Sequence, residues 1–162
     1  MSSVTAARAR HLRDPVLLLA LGLGSGLARL GPGTAGTGVG VALFLLLAAA
    51  APPGAVAAGA VVATVIGIPL CGRAARRLGV HDDPAIVWDE IAGYLVAMVG
   101  IPAEPAWVLL GFGLFRLLDV AKPWPIRWAD RRLAGGLGIM ADDVLAGAAT
   151  CGLLHAALWA FA

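Results

Sequence analysis

Apolar residues gather along the chain in five blocks, residues 36–51, 54–70, 86–101, 106–118 and 144–162. Most of these blocks are shorter than the ~20 residues that a membrane-crossing helix needs, and they reach that length only with flanking residues. The block at 106–118 stays marginal. Pro52-Pro53 predicts a turn between the first two blocks, and "IPAEPA" a turn between the third and fourth. An earlier apolar piece, residues 16–23, is too short to cross and runs into a glycine-rich loop. The pattern predicts an all-α, polytopic membrane bundle of about four to five apolar helices. It forms a single domain over residues 1–162, with residues 1–14 as a basic N-terminal tail.

Composition agrees. Only 14% of the residues are charged, against about 25% in soluble domains. A net charge of +2, scattered along the chain, argues against a nucleic-acid partner. Arg8, Arg10 and Arg13 before "PVLLLALGLG" resemble a signal peptide, but no tidy small-residue cleavage site follows, and the segment is expected to stay uncleaved. With a cytoplasmic N-terminus, five crossings put every Lys and Arg on the inner side, and the two outer turns carry one charge, Glu104. That is the asymmetry of the positive-inside rule.

The same assignment brings acids from three distant parts of the chain to one membrane face. Asp82, Asp83, Asp89 and Glu90 lead into the third block, Asp119 ends the fourth, and Asp142 and Asp143 open the fifth. One reading is electrostatic dressing of helix N-termini, worth roughly 0.3–1 kcal/mol per acid. The other is a site for a hard divalent cation, since the carboxylates come without a His or Cys cluster. Gly93 lies four residues after Asp89, and Gly147 four after Asp143. On a helix each glycine shares a face with its acid and permits close backbone approach.

In "FRLLDVAKPWPIRWAD", residues 115–130, Asp119 and Lys122 are spaced to share a helix face before Pro123 ends it. A local ion pair with Trp124 and Trp128 as interfacial anchors explains part of this stretch. The crowding of Arg116, Lys122 and Arg127 beside the converging acids is what a phosphate ligand needs. The loop "GLGSGLARLGPGTAGTG" offers backbone N–H groups to an anion, with hydroxyls from Ser25, Thr34 and Thr37, although it lacks a Walker A ending. "CGRAARR" sets Arg77 six residues after Cys71, as in cysteine phosphatases, but Leu70 precedes the cysteine and Leu78 follows the arginine, so a thiol mechanism is the weaker alternative.

"GSGLARLGPGTAGT", "DDPAIVWDEIAG" and "FRLLDVAKPWPIRWADRRLAGGLGIMADDVLAG" resemble the phosphatidylglycerophosphatase A family of bacterial membrane lipid phosphatases. The likeness runs from about residue 22 to 150; Thr37 replaces a usual Ser, and Leu118 a common aromatic. It implies Mg²⁺-dependent hydrolysis of the terminal phosphate of phosphatidylglycerophosphate in the bacterial inner membrane, with the site at the cytoplasmic edge. On that expectation Asp89, Glu90, Asp142 and Asp143 hold metal with Asp83 and Asp119 nearby. Arg116, Lys122, Arg127 and the Thr34–Thr37 loop then hold the phosphate, and one of the acids deprotonates an attacking water. A non-catalytic membrane subunit or small transporter is the alternative from another class. The oligomeric state is left open.

Overall fold

The computed structural model describes residues 7–52, 54–81 and 83–161. Pro53 of the expected turn, Asp82 and the first six residues of the basic tail lie outside the described residues. After a short 3-10 turn at Ala9–Arg13, helix α1 runs over Pro15–Ala20 and a second 3-10 segment over Gly22–Leu27. There follow α2 (Pro32–Ala50), α3 (Ala55–Leu78), α4 (Trp88–Ala97), α5 (Pro105–Ala121), α6 (Ile126–Arg132) and α7 (Gly135–Phe161). The chain is a polytopic all-α bundle, as the apolar pattern predicts.

Of the five apolar blocks, three form helices long and apolar enough to cross a membrane: α2, α3 and α7. The third block differs. It yields a helix of 10 residues, about 15 Å long, which covers half of a ~30 Å hydrocarbon core. Its end is set by the chain turning at Gly100, where φ is +73°, just before Pro102. What α4 loses in length it gains in burial: Ile91, Ala92, Tyr94, Leu95 and Ala97 are fully or almost fully enclosed by α2, α3, α5 and α7. α4 is therefore the core of the bundle rather than another wall of it.

The polar groups of the two aromatic side chains in that core are paired. The Trp88 indole N–H donates to the Ala63 carbonyl of α3 at 2.9 Å. The Tyr94 hydroxyl donates to the Val108 carbonyl of α5 at 3.1 Å. The Tyr94 ring meets Phe44 and Phe115 edge-on, with centroids 6.4 and 6.2 Å away. Asp14 caps α1 by accepting from the Val16 N–H and pairs with Arg77, which ties the N-terminal segment to the end of α3.

The tightest packing is between α4 and α7. A Cβ on Gly147 would lie 2.2 Å from the Gly93 carbonyl oxygen, and one on Gly93 would lie 2.7 Å from the Asp143 carbonyl oxygen. The two helix backbones touch there, as the glycines placed four residues after each acid predict. Gly147→Ala is expected to cost about 1–3 kcal/mol through forced separation of the helices. Gly152→Ala on the same helix, where a Cβ meets nothing within 4 Å, is expected to be neutral or to gain up to about 1 kcal/mol of helix propensity. Thermal unfolding of both variants in one detergent checks the contrast.

Candidate active site

The N-terminal ends of α2, α4 and α7, the C-terminal end of α5, helix α6 and the loop after α3 meet at one end of the bundle. A cavity of about 330 Å³ opens between them. Its wall carries six carboxylates, Asp89, Glu90, Asp119, Asp130, Asp142 and Asp143, together with Arg116 and Lys122. That is a formal excess of four negative charges over these two cations.

The acids fall into two groups of three that share Asp143. Asp89, Glu90 and Asp143 offer oxygens within 4.8 Å of one another, and so do Asp119, Asp142 and Asp143. Asp89, Asp119, Asp142 and Asp143 are all buried. The sites of approach are set by glycine. Gly93 and Gly147 bring the α4 acids against α7, and Gly33, in the first turn of α2, leaves room for Glu90. A Cβ on Gly33 would sit 2.1 Å from Glu90 Oε1 and 3.1 Å from the Arg116 guanidinium nitrogens.

Two cations organise the second group. Arg116 pairs with Asp119 one turn further along α5 and stands 3.8 Å from Glu90 Oε1. Lys122 ends α5 in a left-handed conformation, φ 43°, which turns its side chain away from Asp119. Its Nζ instead donates to Asp142 Oδ2 at 2.6 Å and to Asp130 of α6. Burial works against the charged lysine, but these two carboxylates outweigh it and hold its pKa above the usual value. The Asp119–Lys122 pair suggested by the spacing is thus replaced by two longer-range pairs.

Lys122 and Arg116 leave part of the acid cluster unsatisfied. Glu90 Oε2 and Asp142 Oδ1 are buried without a hydrogen-bond partner. In α4, which is too short to be a membrane-spanning segment, burial raises the pKa of Asp89 well above its ordinary value, and the neighbouring Glu90 and Asp143 add to the rise. Burial likewise pushes Glu90 up to about 7, against a hydrogen bond with Asp89 that lowers it. All the candidate donors are carboxylate oxygens, a set that suits a hard cation such as Mg²⁺. Orphaned, buried carboxylate oxygens are the groups such an ion would satisfy.

Other expected residues stand elsewhere. Asp83 is fully buried and accepts from the Ala85 N–H at 2.9 Å, in the loop before α4 and apart from both carboxylate groups. Thr37 is buried, with its hydroxyl donating to the Gly33 carbonyl one turn back. Thr34 is exposed on α2; of the glycine-rich stretch, Gly31, Pro32 and Gly33 border the cavity. The earlier part of that loop packs on the segment before α4, where a Cβ on Gly26 would lie 2.0 Å from the Ala85 carbonyl oxygen. Arg127 is exposed on α6 and lines a separate groove with Trp124 and Trp128. Cys71 is buried inside α3 with its sulfur 3.8 Å from that of Met140, and Arg77 is engaged by Asp14. They form no phosphate loop, which removes the thiol alternative.

Two site residues escaped the sequence reading. Asp130 lies eight residues beyond Lys122 across a Pro-Trp-Pro turn, so no helical spacing links them. His81 also lines the cavity, its Nε2 accepting the Gly135 N–H at 3.0 Å. The proximity of both to the conspicuous acids was the available signal.

Fold and site together define a helical membrane protein with an acidic pocket at one end of its bundle. The phosphatidylglycerophosphatase A family model matches residues 18–158. Phosphatidylglycerophosphatase A of Escherichia coli (strain K12) is 41% identical over 145 residues, covering 89% of this chain and 84% of that protein. Phosphatidylglycerophosphatase A of Haemophilus influenzae is 40% identical, covering 83% of each. A Bacteroides thetaiotaomicron protein provisionally named a phosphatidylinositol-3-phosphatase is 34% identical, covering 88% of this chain and 93% of that one. No solved structure matches. The chain belongs to the phosphatidylglycerophosphatase A family.

Glu90 supplies a test of the site's electrostatics. Its folded-state pKa of about 7 exceeds the ordinary 4.5, so the folded protein binds this proton more tightly than the unfolded chain. Its contribution to stability is complete below pH 4.5 and is lost as pH rises towards 7. Denaturant unfolding of chelator-treated protein is expected to show stability falling over that window, with a shallower fall in Glu90→Gln. An unchanged pH dependence in Glu90→Gln would contradict the assigned burial.

Proposed function

We propose that this chain hydrolyses the terminal phosphomonoester of phosphatidylglycerophosphate, releasing phosphatidylglycerol and inorganic phosphate, and that it does so with Mg²⁺ at the acidic cavity. The observation that carries the reading is the pair of carboxylate groups sharing Asp143, with Arg116 and Lys122 set into the same wall. Family membership supplies the substrate.

Asp89, Glu90, Asp142 and Asp143 would hold one or two Mg²⁺, with Asp119 at the edge of the set. When bound, the metal supplies positive charge to the phosphoryl oxygens and polarises an attacking water. A phosphate monoester carries nearly two negative charges, so catalysis of its hydrolysis is mostly positioning and charge neutralisation. Arg116 and Lys122, in the same cavity wall, serve that end. The first turn of α2 adds the positive end of a helix dipole, with Pro32 at its first position and Gly33 free of a side chain. A cavity acid accepts the proton of the attacking water. The acyl chains remain in the bilayer while the headgroup enters from the end of the bundle, the end read as cytoplasmic from the basic loops.

The opposite end of the bundle favours this over transport, since the hollow there is lined by residues such as Phe44, Leu47, Met98 and Ile101 and offers ions no polar continuation.

The deciding measurement is phosphate release by the purified chain from phosphatidylglycerophosphate, with and without Mg²⁺, and from phosphatidylinositol 3-phosphate in parallel. Mg²⁺-dependent release from the first lipid, abolished by EDTA, is expected. Asp89→Ala and Asp143→Ala should each lower turnover by about 10³-fold or more, comparable to losing a principal electrostatic element of a site, while still inserting into membranes. Near-normal turnover in both variants would sink the carboxylate site, and preference for the inositol lipid would reassign the substrate.

A further inference from the structure

Helix α6 is short, basic and aromatic, and its two sides differ. Ile126 and Ala129 are buried where α6 packs on α7, and Asp130 reaches Lys122 at the cavity. The other side exposes Trp124 by 83% and Trp128 by 54%, with Arg127, Arg131 and Arg132 around them. These five positions with Pro123 line a groove of about 430 Å³. Among the described residues, none of the three arginines pairs with a carboxylate, because the one acid of the helix is engaged by Lys122. Two large aromatic faces left in water beside three guanidinium groups that meet no carboxylate, Arg127 donating only to the Ala121 carbonyl, make a poor surface for an aqueous loop. They fit the boundary of a bilayer, where indole rings lie at headgroup level and arginines meet phosphate.

We infer that α6 and the turn before it form a binding surface for the headgroup phosphate of an anionic membrane phospholipid, separate from the acidic cavity. Three features carry the choice of occupant. The groove is cationic, so a zwitterionic headgroup would leave charge uncompensated. It lies at the end of the bundle where α7 begins, next to the ends of the membrane-length helices. It is also joined to the cavity, since Asp130 on the inner side of the same helix holds Lys122. A lipid seated on α6 therefore rests against the element that sets one wall of the site, and the surface serves as a ramp along which anionic lipids collect at its mouth.

The test needs no turnover, so its outcome is independent of the proposed phosphatase reaction. The full chain is reconstituted in nanodiscs containing brominated phosphatidylglycerol or brominated phosphatidylcholine at equal mole fraction, and tryptophan quenching is compared. The signal from Trp124 and Trp128 is taken as the difference between the wild type and W124F/W128F. Stronger quenching by the anionic lipid is expected, with the preference shrinking as salt is raised. R127Q and R131Q should each weaken that preference by roughly five-fold, the contribution of one basic residue near an anionic surface. All of these side chains are exposed, and the comparison of lipids on the unsubstituted protein stands without any variant. Equal quenching by the two lipids would reduce α6 to an interfacial anchor with no anion site and overturn the inference. Absence of quenching by either lipid would place the groove against water or protein and overturn it as well.

Discussion

The contact on which the rest of the molecule depends is the crossing of α4 and α7 at Gly93 and Gly147. Interhelical attraction in a membrane owes little to the hydrophobic effect, so helices associate through close packing and polar contacts. Here a Cβ on either glycine would strike the opposite backbone, and its absence lets the two main chains meet. The helices run in the same direction, so the acid one turn before each glycine is brought to the same level. Asp89 with Glu90, and Asp143 with Asp142, converge because of it. Separate the helices by the width of one methyl group and the three-carboxylate groups that share Asp143 lose their common centre.

That convergence is electrostatically unfavourable unless something offsets it. Four of the six cavity acids are buried, and burying an unpaired charge is far more costly than burying a neutral polar group. The protein offsets part of the charge with Arg116 and Lys122. The first turns of α2 and α4 direct the positive ends of their dipoles into the same space. The remaining excess is expressed as elevated pKa values at Asp89 and Glu90 and as carboxylate oxygens without partners. A site that prefers protons when left with its own charges, and that offers oxygen ligands at close range, is consistent with the Mg²⁺ proposed for it. The shared position of Asp143 explains why its neighbours cannot be considered one at a time.

Much of this was legible in the chain. Continuous apolar blocks mark the membrane helices because their lengths and compositions are set by the bilayer, a constraint local to each block. The acid–glycine spacing of "DEIAG" and "DDVLAG" announces the crossing because i, i+4 positions share a helix face. What was not legible depends on relations between distant segments. The third block looks like another span; it is a half-length helix because Gly100 turns the chain, and burial on every side replaces lipid as its apolar surroundings. Asp119 and Lys122 look like a local pair, and the left-handed end of α5 at Lys122 redirects the lysine to Asp130 and Asp142. Asp83 and Asp89 look alike in sequence, yet one closes a loop on the Ala85 N–H and the other enters the cavity. The glycine-rich stretch reads as an anion loop throughout; most of it is consumed in packing against residues 85–87, and its last turn alone, Gly31–Gly33, reaches the site.

The half-length of α4 also explains where the chemistry sits. A helix that spanned the core could carry its acids at any depth, but charge is tolerated near the membrane boundary far better than at the centre. α4 fills the bundle with Ile91, Tyr94 and Leu95 and presents Asp89 and Glu90 from its first turn, so a single short element separates an apolar core from a charged mouth. The phosphate of a membrane lipid is confined to the same boundary by its own acyl chains. An enzyme acting on it has no need to extract the lipid or to open a path through the bilayer. The proposed reaction needs carboxylates, cations and helix ends gathered at one end of the bundle, and the Gly93–Gly147 crossing gathers them there.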